Sequence, residues 1–142
     1  MANKICLVCE QGHLTAQTEL VTVEHLGQIG QIENRYSICD CCGSEQADNK
    51  DARFNKRAMT AFKKQVQGFL TGQEVRQLRK RWGLNQQQAA DVFGGGPVAF
   101  SKYETDDVMQ SESMDKLLRL AADVPVALDK LMIDAGVESV GS

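Results

Sequence analysis

Two Cys-x-x-Cys pairs constrain this chain more than any other feature: Cys6-Leu7-Val8-Cys9 close to the start, and Cys39-Asp40-Cys41-Cys42 one hairpin's length further on. Thiolates two residues apart can both turn toward one ion, and two such knuckles supply the four sulfurs of a closed tetrahedral site. A glycine after the second cysteine allows the positive φ that a tight knuckle favours; Gly43 stands there directly, and Gly12 lies a little after Cys9. Cys41 would break the two-residue spacing, so the spacing predicts Cys6, Cys9, Cys39 and Cys42 as ligands and leaves Cys41 a free thiol. No apolar run approaches the roughly 20 residues needed to cross a bilayer, and the first residues are too polar for a secretory signal. A cytoplasmic, reducing compartment is the expectation, and there a metal is a stronger reading of paired cysteines than a disulfide. Structural zinc is the predicted cofactor. Four thiolates leave no open position for an activated water, and no Ser/His/Asp or Cys/His set accompanies them, so the chain is not expected to be an enzyme.

At 142 residues there is room for two small units, and the cysteines sit so near the N-terminus that a metal stabilises the first alone. Between the cysteine pairs, polar and apolar residues roughly alternate from Gln17 to Leu26 through Leu20, Val21 and Val23; Ile32, Asn34, Tyr36 and Ile38 then share a face at period two. Gly27 and Gly30 mark the turn. A hairpin brings both knuckles to the same end, which is the logic of a zinc ribbon. Such a unit has little apolar core, so its folding depends on the ion, whose binding in small finger peptides is worth roughly 10–16 kcal/mol near neutral pH. His13 and His25 are read as exposed polar residues on the hairpin.

A helix follows, with Phe54, Ala58, Ala61, Phe62, Val66 and Phe69 at helical intervals and Arg53, Lys56, Arg57, Lys63 and Lys64 mostly on other faces. Gly68 and Gly72 bracket a joint. Thr71 as N-cap, Glu74 three residues on and Leu70 facing Val75 give a capping box with a hydrophobic staple, and the new helix runs through Val75, Leu78 and Trp82 to Gly83. Asn85 caps a short helix from Gln86 to Phe93, with Ala89, Val92 and Phe93 inward; Gly94-Gly95-Gly96 breaks it, and Pro97 suits the first position of the next. Two short helices hinged on glycine form the helix-turn-helix pattern, whose second helix lies in the major groove of duplex DNA. Phe100 and Tyr103 then face inward, leaving Val98, Ser101 and Lys102 toward the groove. A phosphate-cradling loop is the poorer reading of the triple glycine, because no strand precedes it and no Gly-Lys-Ser/Thr follows.

The net charge of −3 resolves into −4 over residues 1–50, +7 over 51–103 and −6 over 104–142. A basic middle between acidic ends suits a protein whose centre meets a polyanion while another face meets a basic partner. Gln86 at the start of the first short helix, with Arg79, Lys80 and Arg81 nearby, is the expected phosphate-contacting set. Further on, Ser113 is the expected cap of a helix carrying Leu117, Leu118, Leu120 and Ala121, and Pro125 opens another with Leu128, Leu131 and Met132; surplus leucines there suit either a core or a dimer interface. The expected division is 1–70 for the zinc-binding unit with its connecting helix, 71–136 for the helical unit and 137–142 for a disordered tail.

Leu84-Asn85-Gln86-Gln87-Gln88-Ala89-Ala90, then Phe93-Gly94-Gly95-Gly96-Pro97-Val98-Ala99-Phe100-Ser101-Lys102-Tyr103-Glu104, behind a four-cysteine ribbon and ahead of Lys116-Leu117-Leu118-Arg119, resembles the MqsA-type antitoxins and, more widely, the Xre-like regulators. The resemblance spans most of the chain. It implies an α+β zinc ribbon, a hairpin with a four-cysteine site plus a helix, joined to an all-α Xre-like helix-turn-helix domain. It also implies a homodimeric antitoxin whose zinc domain holds a ribonuclease toxin and whose helical domain binds a palindromic double-stranded DNA operator and represses its own operon. Val98 and Lys102 depart from the family's usual Asn and Arg on the groove face. Valine cannot make the bidentate bond that Asn makes to adenine, although it can touch a thymine methyl, and Lys lacks the planar fork of Arg. A stand-alone zinc-containing transcription regulator without a toxin is the alternative expectation. Rubredoxin-like electron transfer through a single iron is the third, and it leaves the helix-turn-helix unexplained.

Overall fold

The computed structural model describes residues 4–138 and divides into two compact units, Met1–Phe62 and Lys63–Ser142. The division falls inside a helix, ahead of the 70/71 boundary read from the sequence. Positions 139–142 of the expected disordered tail lie outside the described residues, whereas Val137 packs against the helical core.

The first unit is an antiparallel sheet of β1 (Lys4–Ile5), β2 (His13–His25), β3 (Gln28–Cys39) and β4 (Glu45–Gln46), in that order across the sheet. The long β2 and β3 pair from Leu14 opposite Cys39 to His25 opposite Gln28. Leu26 and Gly27 make the connection with φ of 51° and 79°, the two positive values of the turn whose twist matches a two-residue hairpin. Gly30 is not in the turn. It lies inside β3 opposite Val23, where an added Cβ would come within 2.4 Å of the Phe62 ring, so its role is to let an aromatic ring lie on the strand. The period-two reading of β3 holds from Ile32 to Tyr36, with Ile32, Asn34 and Tyr36 half-buried and Gln31, Glu33 and Arg35 exposed, and gives way to half-buried Ser37 and Ile38 beside buried Cys39; Leu20 on β2 faces solvent while Val21 and Val23 turn inward.

Helix α1 (Asn49–Gln67) covers part of the outer edge of β3. The Asn55 amide oxygen accepts from the Arg35 backbone N–H at 2.6 Å, its NH2 donates to the Arg35 carbonyl at 3.0 Å, and the Arg35 guanidinium lies 3.7 Å above the centre of the Phe54 ring. One side chain thus satisfies both backbone groups that an open strand edge would leave unpaired. The helix stops at Gln67, so Phe69 falls just beyond the stripe it was read into.

The second unit is all helical: α2 (Gly72–Arg81), α3 (Gln86–Phe93), α4 (Ala99–Glu104), α5 (Glu112–Asp123) and α6 (Pro125–Ala135). Thr71 and Glu74 form the expected capping box on α2, and Asn85 with Gln88 forms another on α3. Val75, Trp82, Leu84, Ala89, Val92, Phe93, Phe100, Leu118 and Met132 fill one core. Trp82 stacks on Phe93 at 5.2 Å, Phe93 meets Phe100 at 6.0 Å, and Phe100 meets Tyr103 edge-on at 5.6 Å. This chain of rings fixes α2, α3 and α4 on one another through geometries that aromatic pairs favour.

Three expectations are corrected here. Pro97 sits in the turn and α4 begins at Ala99, because Gly94, Gly95 and Gly96, with φ of 92°, 100° and 91°, carry the chain extended before it can wind. Ser111, not Ser113, caps α5: its hydroxyl accepts from the Met114 N–H at 3.0 Å, and Ser113 lies within the helix. Lys64, read as lying mostly off the apolar stripe of the helix, is wholly buried in the second unit.

Candidate metal centre and nucleic-acid face

The hairpin's open end carries both cysteine knuckles. The β2–β3 register sets Leu14 opposite Cys39, so the chain entering β2 and the chain leaving β3 meet there. Cys6 and Cys42 sulfurs stand 3.7 Å apart, as do those of Cys9 and Cys39, and all four lie within 4.8 Å of one another. A tetrahedron with arms of about 2.3 Å, the usual zinc–sulfur length, has edges of about 3.8 Å. The donor set therefore fits zinc, and the site is a structural zinc centre of four thiolates. The exposed Cys41 stands outside this cluster, and neither histidine belongs to it.

Each knuckle also turns backbone N–H groups onto sulfur. Val8 N–H reaches Cys6 at 3.3 Å, Gly12 N–H reaches Cys9 at 3.4 Å, and the N–H groups of Cys41 and Cys42 reach Cys39 at 3.3 and 3.4 Å. The Gln46 amide adds a bond to Cys6 at 3.2 Å, and the Ser44 hydroxyl lies 3.7 Å from the same sulfur. These donors favour the thiolate form. The Cys9 backbone N–H, helped by Ser44, Val8 and Gln46, holds the Cys6 thiol down at about 5. The backbone N–H groups of Gln11 and Gly12 lower Cys9. The N–H groups of Cys42 and Cys41 act the same way on Cys39, yet burial and the neighbouring Cys42 and Cys6 thiols push it up to about 11. A divalent cation would take the place of the proton that burial and these thiol contacts hold on Cys39. Gly12 serves by its smallness: a Cβ there would meet the Cys39 sulfur at 2.4 Å. Ser44 and Gln46 carry no sequence signal of this role, since it arises when β4 pairs with Ser37 and Ile38.

In the second unit, α3 and α4 form a helix-turn-helix. Ala99 and Phe100 are buried, while Pro97, Val98, Ser101 and Lys102 are exposed along the outer side, with Val98 57 % exposed at the cap of α4. Lys80 and Arg81 are also exposed, Arg81 reaching the Ala122 carbonyl at 3.5 Å. Arg79 and Gln86 are placed differently from the surface set they were read into. The Arg79 guanidinium grips Glu104 through two bonds of 2.8 Å and donates to the Leu84 carbonyl at 2.9 Å, leaving its side chain 12 % exposed. Glu104 raises the Arg79 pKa still further. Gln86, half-buried, donates to the same Glu104 carboxylate at 3.4 Å. Nothing local in the sequence marks Glu104 as the receiver of two side chains from other helices.

The match to known proteins runs through both units. Residues 4–132 fit the family described as the antitoxin component of bacterial toxin-antitoxin systems, MqsA. Antitoxin MqsA of Escherichia coli strain K12 is 27% identical over 135 residues, an alignment covering 89% of this chain and 98% of that protein.

Proposed function

The chain belongs to the MqsA family of antitoxins, and from that membership we propose how it divides its work. The zinc-holding unit binds a ribonuclease toxin; the helical unit, as a homodimer in the cytoplasm, binds the palindromic operator of its own genes and represses them. The observation that carries the DNA half is α4: a helix buried through Ala99 and Phe100, gripped at its C-terminal end by Arg79, and presenting Val98, Ser101 and Lys102 outward. Lys80 and Arg81 supply flanking charge for phosphates, which position a protein on a duplex without reading it. Exposed Leu120, Val124, Val126 and Ile133 on and between α5 and α6 offer an apolar surface suited to a second copy.

For the toxin half, the ribbon carries exposed Ile5, Leu7 and Val8 at the first knuckle. Beside them a groove of about 510 Å³ is lined by Ile5, Leu7 and Leu14, with Asp48 and Asp51 among its other walls. Lys4 also lines the groove and pairs with Asp48 at 2.7 Å, so Asp51 is the acidic excess of its walls, and an apolar lining with that excess suits a basic partner. No helix among the described residues is long and apolar enough to cross a membrane.

Gel-shift titration of the zinc-loaded chain against its own promoter and a scrambled duplex, at two salt concentrations, tests the DNA half. Tighter promoter binding that weakens steeply with salt is the expected result. No preference for the promoter at either salt overturns it. Capture of the toxin encoded beside this chain by the full protein, lost when Leu7 and Ile5 are both changed to Asp with zinc retained, tests the toxin half; capture unaffected by that double change rules out this surface.

A further inference from the structure

Lys64 has a side chain with no exposure, and its ammonium donates to the Tyr103 carbonyl at 2.9 Å and to the Asp106 carboxylate at 2.8 Å. Tyr103 lies in the last turn of α4, and Asp106, held at φ of 63°, makes the bend that ends it. A cation at a helix C-terminus sits where unsatisfied carbonyls and the helix dipole favour positive charge. Around it the backbone is packed without slack: a Cβ on Gly72 would meet the carbonyls of Glu104 at 2.5 Å and Tyr103 at 2.8 Å, and the Asp106 carboxylate at 2.9 Å. The segment between α1 and α2 is tied down as well. The Leu70 N–H donates to buried Asp115 at 2.7 Å, the Leu70 carbonyl accepts from buried Gln110 at 2.9 Å, and the Phe69 N–H returns to the Lys64 carbonyl at 2.8 Å.

We propose that Lys64, carried on the last turn of α1, is a positioning residue for sequence reading: it sets the tilt of α4, and so the reach of Val98, Ser101 and Lys102, without itself touching DNA. The inference rests on the reading of α4 as the groove-facing helix. A buried ammonium cannot meet a phosphate, so its contribution is geometric. Base-edge contacts depend on placement far more steeply than phosphate contacts do, which makes discrimination between sequences, not total affinity, the sensitive quantity.

The test uses the full-length, zinc-loaded chain with Lys64→Met, which keeps the volume and removes the charge. A second variant, Lys64→Met with Asp106→Asn, leaves no half-buried carboxylate without its cation and keeps a residue that tolerates left-handed backbone. Affinity for the chain's own promoter and for a scrambled duplex is measured on whichever variant retains the wild-type helical signal. The promoter-to-scrambled ratio falls by about tenfold, the scale of one lost base contact, while scrambled binding and its salt slope stay as in the wild type. A folded variant with an unchanged ratio overturns the proposal, as does parallel loss on both duplexes. Failure of the wild type itself to prefer its promoter overturns the DNA reading instead, and the two failures are distinguished by that control.

Discussion

At the scale of single residues, the metal centre rests on which sulfurs converge. Cys39 is buried within the four-sulfur cluster and Cys41 is exposed outside it, although they are separated by one residue. Metal analysis therefore gives one zinc per chain for Cys41→Ser and a loss of bound zinc for Cys39→Ser, with collapse of the ribbon's β signal in circular dichroism; zinc lost from Cys41→Ser alone would overturn the ligand set. Gly12→Ala is expected to weaken zinc binding without touching a ligand, because the new methyl would sit 2.4 Å from the Cys39 sulfur; competition with a chelator measures it, and an affinity equal to wild type would show that the knuckle can shift aside. These ligands were legible because spacing alone specifies them. Lys64 and Arg79 were not, because what distinguishes them from solvated lysines and arginines is a partner far along the chain, Asp106 and Glu104. Charge pattern in a sequence records that a cation exists and says nothing of what it faces.

The elements with strong local chemistry were legible almost to the residue. Thr71 and Asn85 cap α2 and α3 where the sequence places them, because a capping box is written within four residues. Thr71→Ala removes the acceptor for the Glu74 N–H at 3.1 Å, and thermal unfolding of the helical unit is expected to register a loss of about 1 kcal/mol; an unchanged transition would mean that water replaces the hydroxyl at no cost. The start of α4 was misplaced because proline's preference for the first helical turn is local, whereas three successive positive-φ glycines set the chain's direction before it. Lys102 is exposed on α4, and Lys102→Ala separates two uses of it. If it reads a guanine, gel shifts lose roughly 1–3 kcal/mol on the operator and relax at one base pair; a uniform loss on all duplexes makes it a phosphate contact.

At the scale of the whole molecule, the two units differ in what holds them. Among the described residues, the buried apolar side chains of the first unit are Cys6 and Cys39, and every other one, from Leu70 to Met132, belongs to the second. The ribbon's interior is thus the metal site itself, with the half-buried face of its hairpin beside it, whereas the helical unit has an aromatic core of its own. The sequence allowed this asymmetry to be expected from the thin apolar content between the cysteine pairs. It did not reveal that the second unit reaches back to Lys63, since that depends on Lys64 being buried there. Stripping the zinc with a strong chelator at neutral pH therefore acts on one half. The ribbon unfolds, because the buried apolar side chains of this unit are the metal ligands Cys6 and Cys39, while the contacts left to its sheet and helix are half-buried, and the free energy of metal binding is free energy of folding for such a unit. The helical unit keeps its thermal transition within a few degrees, roughly the shift that a change under 1 kcal/mol produces in a domain of this size. Calorimetry and circular dichroism follow the two transitions, while capture of the toxin and binding of the promoter are assayed on the same stripped sample. Toxin capture is lost and promoter binding stays within about threefold of the zinc-loaded chain, a change below 1 kcal/mol. A single transition that vanishes on chelation, taking promoter binding with it, would mean that the helical core does not suffice to hold α4 in place.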